Sequence, residues 1–407
     1  MACRVAAHGH GNLDWSVFRP HLAALFAAYE GIWVYTDSHR VSNKGRSATT
    51  YCAFVDREGY SMVQRILLSL LACVIAVTAQ PLTSSYASLR LPLDGVGSHS
   101  ARLILFDGPG ATQTYPSSIN DGGTITGYYA DADGGHGFLR YLGGLFVTFD
   151  APGSQNIYPS SINSAGAVAG NYSDTSQHGF LRSADGSWIT FNVPGTFPSS
   201  SENPIVINDS GAIAGPYFDG SSMHGFVRSL DGSLITIDAP GSTYTYATGI
   251  NAGGVVTGIY DDASFNAHGF LRGRDGAWIS FNVPGNNFGL FPPTLSINNI
   301  GAVVGSYFEG DTQGFLRHLG GSLTTIDVAG ATGTQPASIN SNGAVVGAYQ
   351  DSSSVYHGFL RIASGVVYTF SIPGAIGTFA VGINDRGVIA GSYLDATYAS
   401  HGFLLIL

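Results

Sequence analysis

From about residue 102 to the end of the chain, short runs of Ile, Val, Leu, Phe and Tyr alternate with clusters of Gly, Asn, Asp and Ser. Alternation at a period of two, bounded by turn residues, is the mark of half-buried β-strands. Within 204–238 the pattern predicts four strands, at 204–207, 212–217, 225–228 and 234–238. Asn-x-x-Gly after the first strand suits a type I turn, in which the Asn side chain bonds nearby backbone and Gly accepts positive φ. Asp-Gly at Asp185, Asp231 and Asp275 falls between third and fourth strands, where a tight hairpin needs positive φ. No amphipathic helical period follows residue 90.

The same four-strand text recurs. Ile-Asn stands at Asn120, Asn163, Asn208, Asn251, Asn298, Asn340 and Asn384, at intervals of 43, 45, 43, 47, 42 and 44 residues. His-Gly-Phe follows in each copy except the fifth, where Gln313 replaces the His. Between these markers comes Gly-x-Tyr with an acid two residues on, Asp in six copies and Glu309 in the fifth. A repeat of this length with four strands is one blade of a β-propeller. The region opens on a fourth-type strand at 103–107 and closes on a third-type strand at 401–407. We therefore expect an all-β, seven-bladed β-propeller of four-stranded blades over 102–407, closed by the N-terminal strand completing the last blade. Closure of that kind removes two unpaired edges. The Phe of each His-Gly-Phe is expected to pack between neighbouring blades.

The first hundred residues read differently. Met62-Val63-Gln64-Arg65, the apolar run 66–77 and Val77-Thr78-Ala79 together resemble a secretory signal peptide over 62–79, cleaved near Ala79. The run is too short to span a bilayer, so no transmembrane anchor is expected. Cleavage before Cys73, as in a lipoprotein, is the weaker reading, because the apolar run continues beyond it. Residues 1–61 then read as an overcalled N-terminal extension and 80–101 as a linker. The expected location is outside the cytoplasm, secreted or in a bacterial periplasm or envelope.

Charge and cysteine content narrow the partners. All three cysteines (Cys3, Cys52, Cys73) precede the expected cleavage point, so the mature chain has no disulfide and no thiolate site. From residue 80 it holds ten Arg, no Lys and 22 Asp plus Glu. Such a balance repels phosphate backbones, and no nucleic-acid partner is expected. Neither a metal, a cofactor nor an oligomer is called for.

The ordered motifs Ile-Asn-x-x-Gly-x-x-x-Gly-x-Tyr, His-Gly-Phe-Leu-Arg and Thr-Phe-Asp-x-Pro-Gly resemble those of the bacterial extracellular HAF-repeat family. Here the tripeptide of that family reads His-Gly-Phe in six copies and Gln-Gly-Phe in the fifth. The resemblance covers 102–407 and implies export; it implies no activity.

Candidate chemistry has two sources. Each hairpin acid and His face one another across second and third strands, and we read the pair as a structural clip rather than a catalytic dyad, since a site needed once does not require seven copies. The fifth copy should then pair Glu309 with Gln313. Binding is sought where the copies differ, in the column four residues before each Ile of Ile-Asn: Tyr115, Tyr158, Asn203, Tyr246, Pro293, Gln335 and Phe379. We expect this column to encircle one mouth of the channel. Glu202 stands beside it in an inter-blade loop, and the loop 286–293 offers Phe288, Leu290 and Phe291. Aromatic faces among amides suit a sugar. The expected ligand-binding set is Tyr115, Tyr158, Glu202, Asn203, Tyr246, Gln335 and Phe379, for a glycan or a cell-surface protein. The alternative is an extracellular polysaccharide lyase or glycoside hydrolase using the same face, for which no catalytic residues are assigned.

Overall fold

The computed structural model describes residues 86–90, 100–154, 156–198, 204–288 and 295–407. The expected extension and signal peptide lie outside them, as do Glu202, Asn203, Leu290, Phe291 and Pro293. All the repeats belong to one compact unit, Leu82–Leu407.

Two strands precede the repeats, β1 (Tyr86–Arg90) and β2 (Ser100–Phe106). The first repeat supplies β3 (Gln113–Ile119), β4 (Ile125–Ala130), β5 (Gly135–Arg140) and β6 (Phe146–Phe149), paired antiparallel in that order. In the third repeat the strands are Val206–Ile207, Ile213–Phe218, Met223–Arg228 and Leu234–Ile237, close to the sequence expectation. Four repeats stand as separate four-stranded sheets. The others join a 13-stranded path because single parallel residue pairs, Thr312↔Gly333 and Tyr356↔Gly377, bridge one repeat to the next.

The final strand, Ser400–Ile406, pairs antiparallel with β2 from Arg102↔Ile406 to Phe106↔Gly402. β2 thus takes the fourth place in the last repeat. The linker expected over 80–101 contains β1, which pairs with β2 from Tyr86↔Ile104 to Arg90↔Ser100 and adds a further strand to that sheet. Five residues able to extend opposite an open edge suffice for this, although their composition carries no strong alternation.

Packing follows the motifs. The Phe of each His-Gly-Phe is at most 1 % exposed. Phe138 lies in a cluster with Val388, Ala390 and Leu404 of the seventh repeat, and Phe226 in one with Ala169, Leu181 and Phe191 of the second, so each ring fills the space between neighbouring sheets. Glycine makes room for it. A Cβ on Gly127 would collide with the Tyr115 carbonyl oxygen and the Phe138 ring.

The turns after the innermost strands are tied together. Asn120 Oδ1 accepts from Thr124 N at 2.9 Å, stabilising a turn in which Gly123 adopts φ 78°. Its Nδ2 donates to Asn163 O at 3.0 Å, in the next repeat. The same relay runs through all the Ile-Asn markers at 2.9–3.2 Å, and Asn384 Nδ2 donates to Asn120 O. Every one of these asparagines is buried, so the amides are satisfied where water does not reach. The relay gathers all these turns at one end of the molecule, and the second-to-third-strand hairpins at the other.

Candidate functional site

Three features carry polar or aromatic side chains in positions open to a ligand: the axial cavity, the histidine clips and the variable column.

Small side chains line the axial cavity, which encloses about 320 Å³ between Ser117, Ser160, Thr248, Ser296 and Ser338. Several of these hydroxyls work for the fold. Ser118 Oγ accepts from Ile162 N and Ser161 Oγ from Ile207 N, each linking one innermost strand to the next. None of the described column residues lines this cavity. At the turn end, a second cavity of about 200 Å³ is bounded by the asparagine relay with Asp121, Asp209 and Asp385.

Each histidine is held on both sides. Nε2 meets the hairpin acid at 2.9–3.3 Å, and Nδ1 meets the residue just after the outer strand at 2.6–3.0 Å. That second partner is Asp150, Asn192, Asp238, Asn282, Ser371 or, from β2's end, Asp107. The clip therefore ties three strands, one more than the sequence reading assigned. In the six copies with a histidine the Tyr of Gly-x-Tyr lies against the same imidazole, at 5.2 Å and tilted by 33° for Tyr129 and His136. With both ring nitrogens and one face occupied, the histidines are structural. In the fifth copy the expected Glu309–Gln313 pair is replaced: Gln313 Nε2 donates to Asp311 at 2.6 Å. The hairpin there has shortened so that Glu309 and Asp311 face each other, which turns Asp311 toward the amide.

Titration follows from this geometry. Burial pushes His136 toward the neutral form, but the hydrogen bonds and charges of Asp150 and Asp131 prevail and its pKa is raised. His401 behaves alike between Asp107 and Asp395. Asp131 is lowered, chiefly by the backbone N–H of Asp133. Burial, followed by the charges of Asp131 and Asp150, pushes the Tyr129 hydroxyl up to about 12. A raised His pKa stabilises the fold below the unfolded value and loses that contribution as pH rises through the folded one; a lowered Asp pKa contributes above its unfolded value and loses it in acid. The melting temperature of the wild type minus that of a His136→Gln/His401→Gln protein should thus be greatest near pH 5.5 and shrink toward pH 8. Because the clips are partly exposed, the swing should be no more than about 2–4 °C. A difference that stays flat from acid to alkaline pH would contradict it.

Among its described residues the variable column is not a uniform ring of exposed side chains. Tyr246 is 2 % exposed and packs with Phe281, Phe288 and Tyr307, so its ring offers no face to a ligand. Phe288, 3 % exposed, belongs to the same cluster and stacks edge-on to Phe281 and Phe315. Tyr115, Tyr158, Gln335 and Phe379 remain half-buried. The three rings each meet an aromatic from outside the column, while Gln335 faces Ala348 across its strand pair. Tyr115 stacks at 4.9 Å on Tyr128, its cross-strand partner, and Tyr128 meets Tyr158 of the second repeat edge-on at 5.2 Å. Phe379 lies 5.1 Å from Tyr356 of the preceding repeat. Tyr128 and Tyr356 escaped the sequence reading. Both occupy variable slots inside otherwise fixed motifs, the x of Gly-x-Tyr and the position before His-Gly-Phe, and a comparison of those slots would have found them.

Beside this arc lie Gln113, whose Oε1 accepts from Tyr115 Oη and from Ser400 N, and Asn171, opposite Tyr158. Partly exposed phenol rings can stack on an apolar face and the partly exposed Gln113 amide beside them can hydrogen-bond to its substituents, whereas Asn171 is buried. Among the described residues no group of His, Cys, Asp and Glu is arranged to hold a metal ion. No helix there is long and apolar enough to cross a membrane.

Neither a family model nor a curated protein sequence matches the chain. Among solved structures it is similar to a catalytically inactive virginiamycin B lyase from Staphylococcus aureus crystallised with quinupristin, at TM-score 0.52 and 14 % identity over 75 % of this chain and 99 % of that one. The β-propeller domain of the Trilobed protease from Pyrococcus furiosus follows at TM-score 0.49 and 10 % identity, covering 72 % and 94 %. A lectin from Aleuria aurantia in complex with a fucosylated N-acetylglucosamine has TM-score 0.38 and 13 % identity, covering 64 % and 95 %. The protein is a β-propeller of repeated four-stranded sheets. At these identities the likeness extends to fold and not to chemistry.

Proposed function

We propose that this chain is an exported binding module: a seven-bladed propeller, closed where β2 joins the last blade, whose hairpin end takes a glycan or a cell-surface partner. Closure is supported by the pairing of β2 with Ser400–Ile406 and by the return of the asparagine relay from Asn384 to Asn120. Export rests on the signal-peptide pattern over 62–79, and membership of the HAF-repeat family on the ordered motifs. N-terminal sequencing of protein recovered from the medium or periplasm, with Gln80 as the expected first residue, checks the former. In this reading the protein acts as a monomer.

The observation that carries the binding reading is the Tyr115–Tyr128–Tyr158 arc, which spans two neighbouring sheets and leaves its rings half-exposed. A set of aromatic rings already stacked costs little to order around a ligand. The test is a glycan panel scored for binding and for new reducing or unsaturated ends. We expect binding without turnover, weakened about tenfold or more in Tyr158→Ala with an unchanged melting temperature. Product formation would promote the lyase or hydrolase reading instead, and equal binding by wild type and variant would remove the arc from the site.

A further inference from the structure

Charge is sorted between the two ends of the sheets. In the first six repeats the third strand ends in Arg, and Leu405 takes that place in the seventh: Arg140 pairs with Phe146 across the outer turn and with Ile125, which follows the asparagine turn. Arg182, Arg228, Arg272, Arg317 and Arg361 hold the same register, so they also lie at the turn end, and Arg90 of β1 pairs with Ser100 at that end of β2. Arg102 begins its run opposite Ile406, and Arg274 and Arg386 stand within turns at that end. The described residues contain no lysine. The hairpin end therefore has no cation other than histidine among the described residues. Each hairpin there carries an acid, as Asp131, Asp219 and Asp395 do, and outer strands arrive at it with Asp107, Asp150, Asp238 and Asp327. Asp133, Asp261 and Asp311 add to these. The carboxylates outnumber the histidines even when every imidazole is charged.

The aromatic arc lies toward this acidic end, since Tyr115 pairs with Tyr128, three residues before the hairpin acid Asp131. We propose that the ligand of the arc bears ammonium groups, as a glycan with free amino substituents does, and that glycans bearing carboxylate or sulfate are rejected. The inference rests on the reading of the arc as the binding surface and adds the sign of the ligand's charge. Two physical effects support it. Carboxylates within a Debye length of about 8 Å set the local potential at physiological salt. Ammonium groups are also drawn to the faces of Tyr rings, which repel anions. Like-charge crowding is visible at this end: Asp261 titrates high, through burial first and then the charge of Asp262.

The experiment compares an N-acetylglucosamine oligomer, its de-N-acetylated form and an oligouronate of equal length, at about pH 6, where amines and carboxylates are both charged. The de-N-acetylated oligomer should bind about tenfold tighter than the acetylated one in low salt, and the gap should close in about 0.5 M NaCl. Asp133→Asn/Asp150→Asn should narrow the gap without weakening the neutral oligomer; Asn at position 150 is already tolerated by the clip, as Asn192 shows. Tyr128→Ala should weaken both. Equal affinity for the acetylated and free-amine oligomers, or binding of the oligouronate, would overturn the charge inference and leave the arc reading standing. Failure of every saccharide to bind, with Tyr128→Ala indistinguishable from wild type, would remove the arc reading itself.

Discussion

A chain beginning at Gly108 is expected to lose its cooperative unfolding transition, whereas one beginning at Ser100 keeps it. The difference is β2. It buries Leu103, Ile104 and Phe106 at 0 %, 3 % and 6 % exposure, and its removal would bare the face of the last strand where Phe403, Leu404 and Leu405 are now fully enclosed. Burying a large apolar side chain is worth about 1.5–3 kcal/mol, so the three contribute about 5–9 kcal/mol. A domain's whole stability is about 5–15 kcal/mol. The loss also strands His401 without Asp107 and opens an unpaired edge prone to association. Calorimetry with size-exclusion chromatography would read this directly. A synthetic peptide spanning 100–107 should restore the transition by adding back as a strand. A shortened protein that melts like the longer one would show that the last sheet does not need its outer strand.

The second large effect belongs to the inter-sheet phenylalanines. Phe226→Ala should destabilise the protein by about 3–5 kcal/mol, the range for a wholly enclosed aromatic whose cavity cannot collapse. Collapse is resisted here because the ring sits between two hydrogen-bonded sheets, in edge-on contact with Phe197 at 5.9 Å and near Phe191 at 6.1 Å. Phe226→Leu should recover much of the loss. Chemical denaturation with a constant slope would give the figure, and a cost below about 1 kcal/mol would mean that the neighbouring sheets close over the gap.

What could be read from the chain alone was whatever each repeat must do for its own backbone. Asn120 satisfies a buried turn, Gly123 adopts a conformation other residues avoid, and Phe138 needs the missing side chain of Gly127. These demands recur in every copy, so the residues recur with them. The third member of the histidine clip was hidden because a hydrogen-bond acceptor is all the position requires, and Asp150, Asn192 and Ser371 each provide one. The column failed as a uniform ring for a different reason. Sequence position fixes where a strand begins but not what the preceding loop lays over it: Phe288 covers the space around Tyr246, while among the described residues the one ring that Tyr158 meets is Tyr128. β1 was missed because a strand that merely extends an edge owes little to its own pattern.

The asparagine relay has an electrostatic consequence. Peptide dipoles in an α-helix point one way and add, leaving opposite charge at its two ends. Here the amides from Asn120 to Asn384 follow one another in a single rotational sense and come back to their origin. Vectors laid head to tail around a circuit sum to nothing. The relay thus gains directional cohesion with no net dipole in its own plane, and the charges at that end are those of Asp121, Asp209 and Asp385 with Arg274 and Arg386.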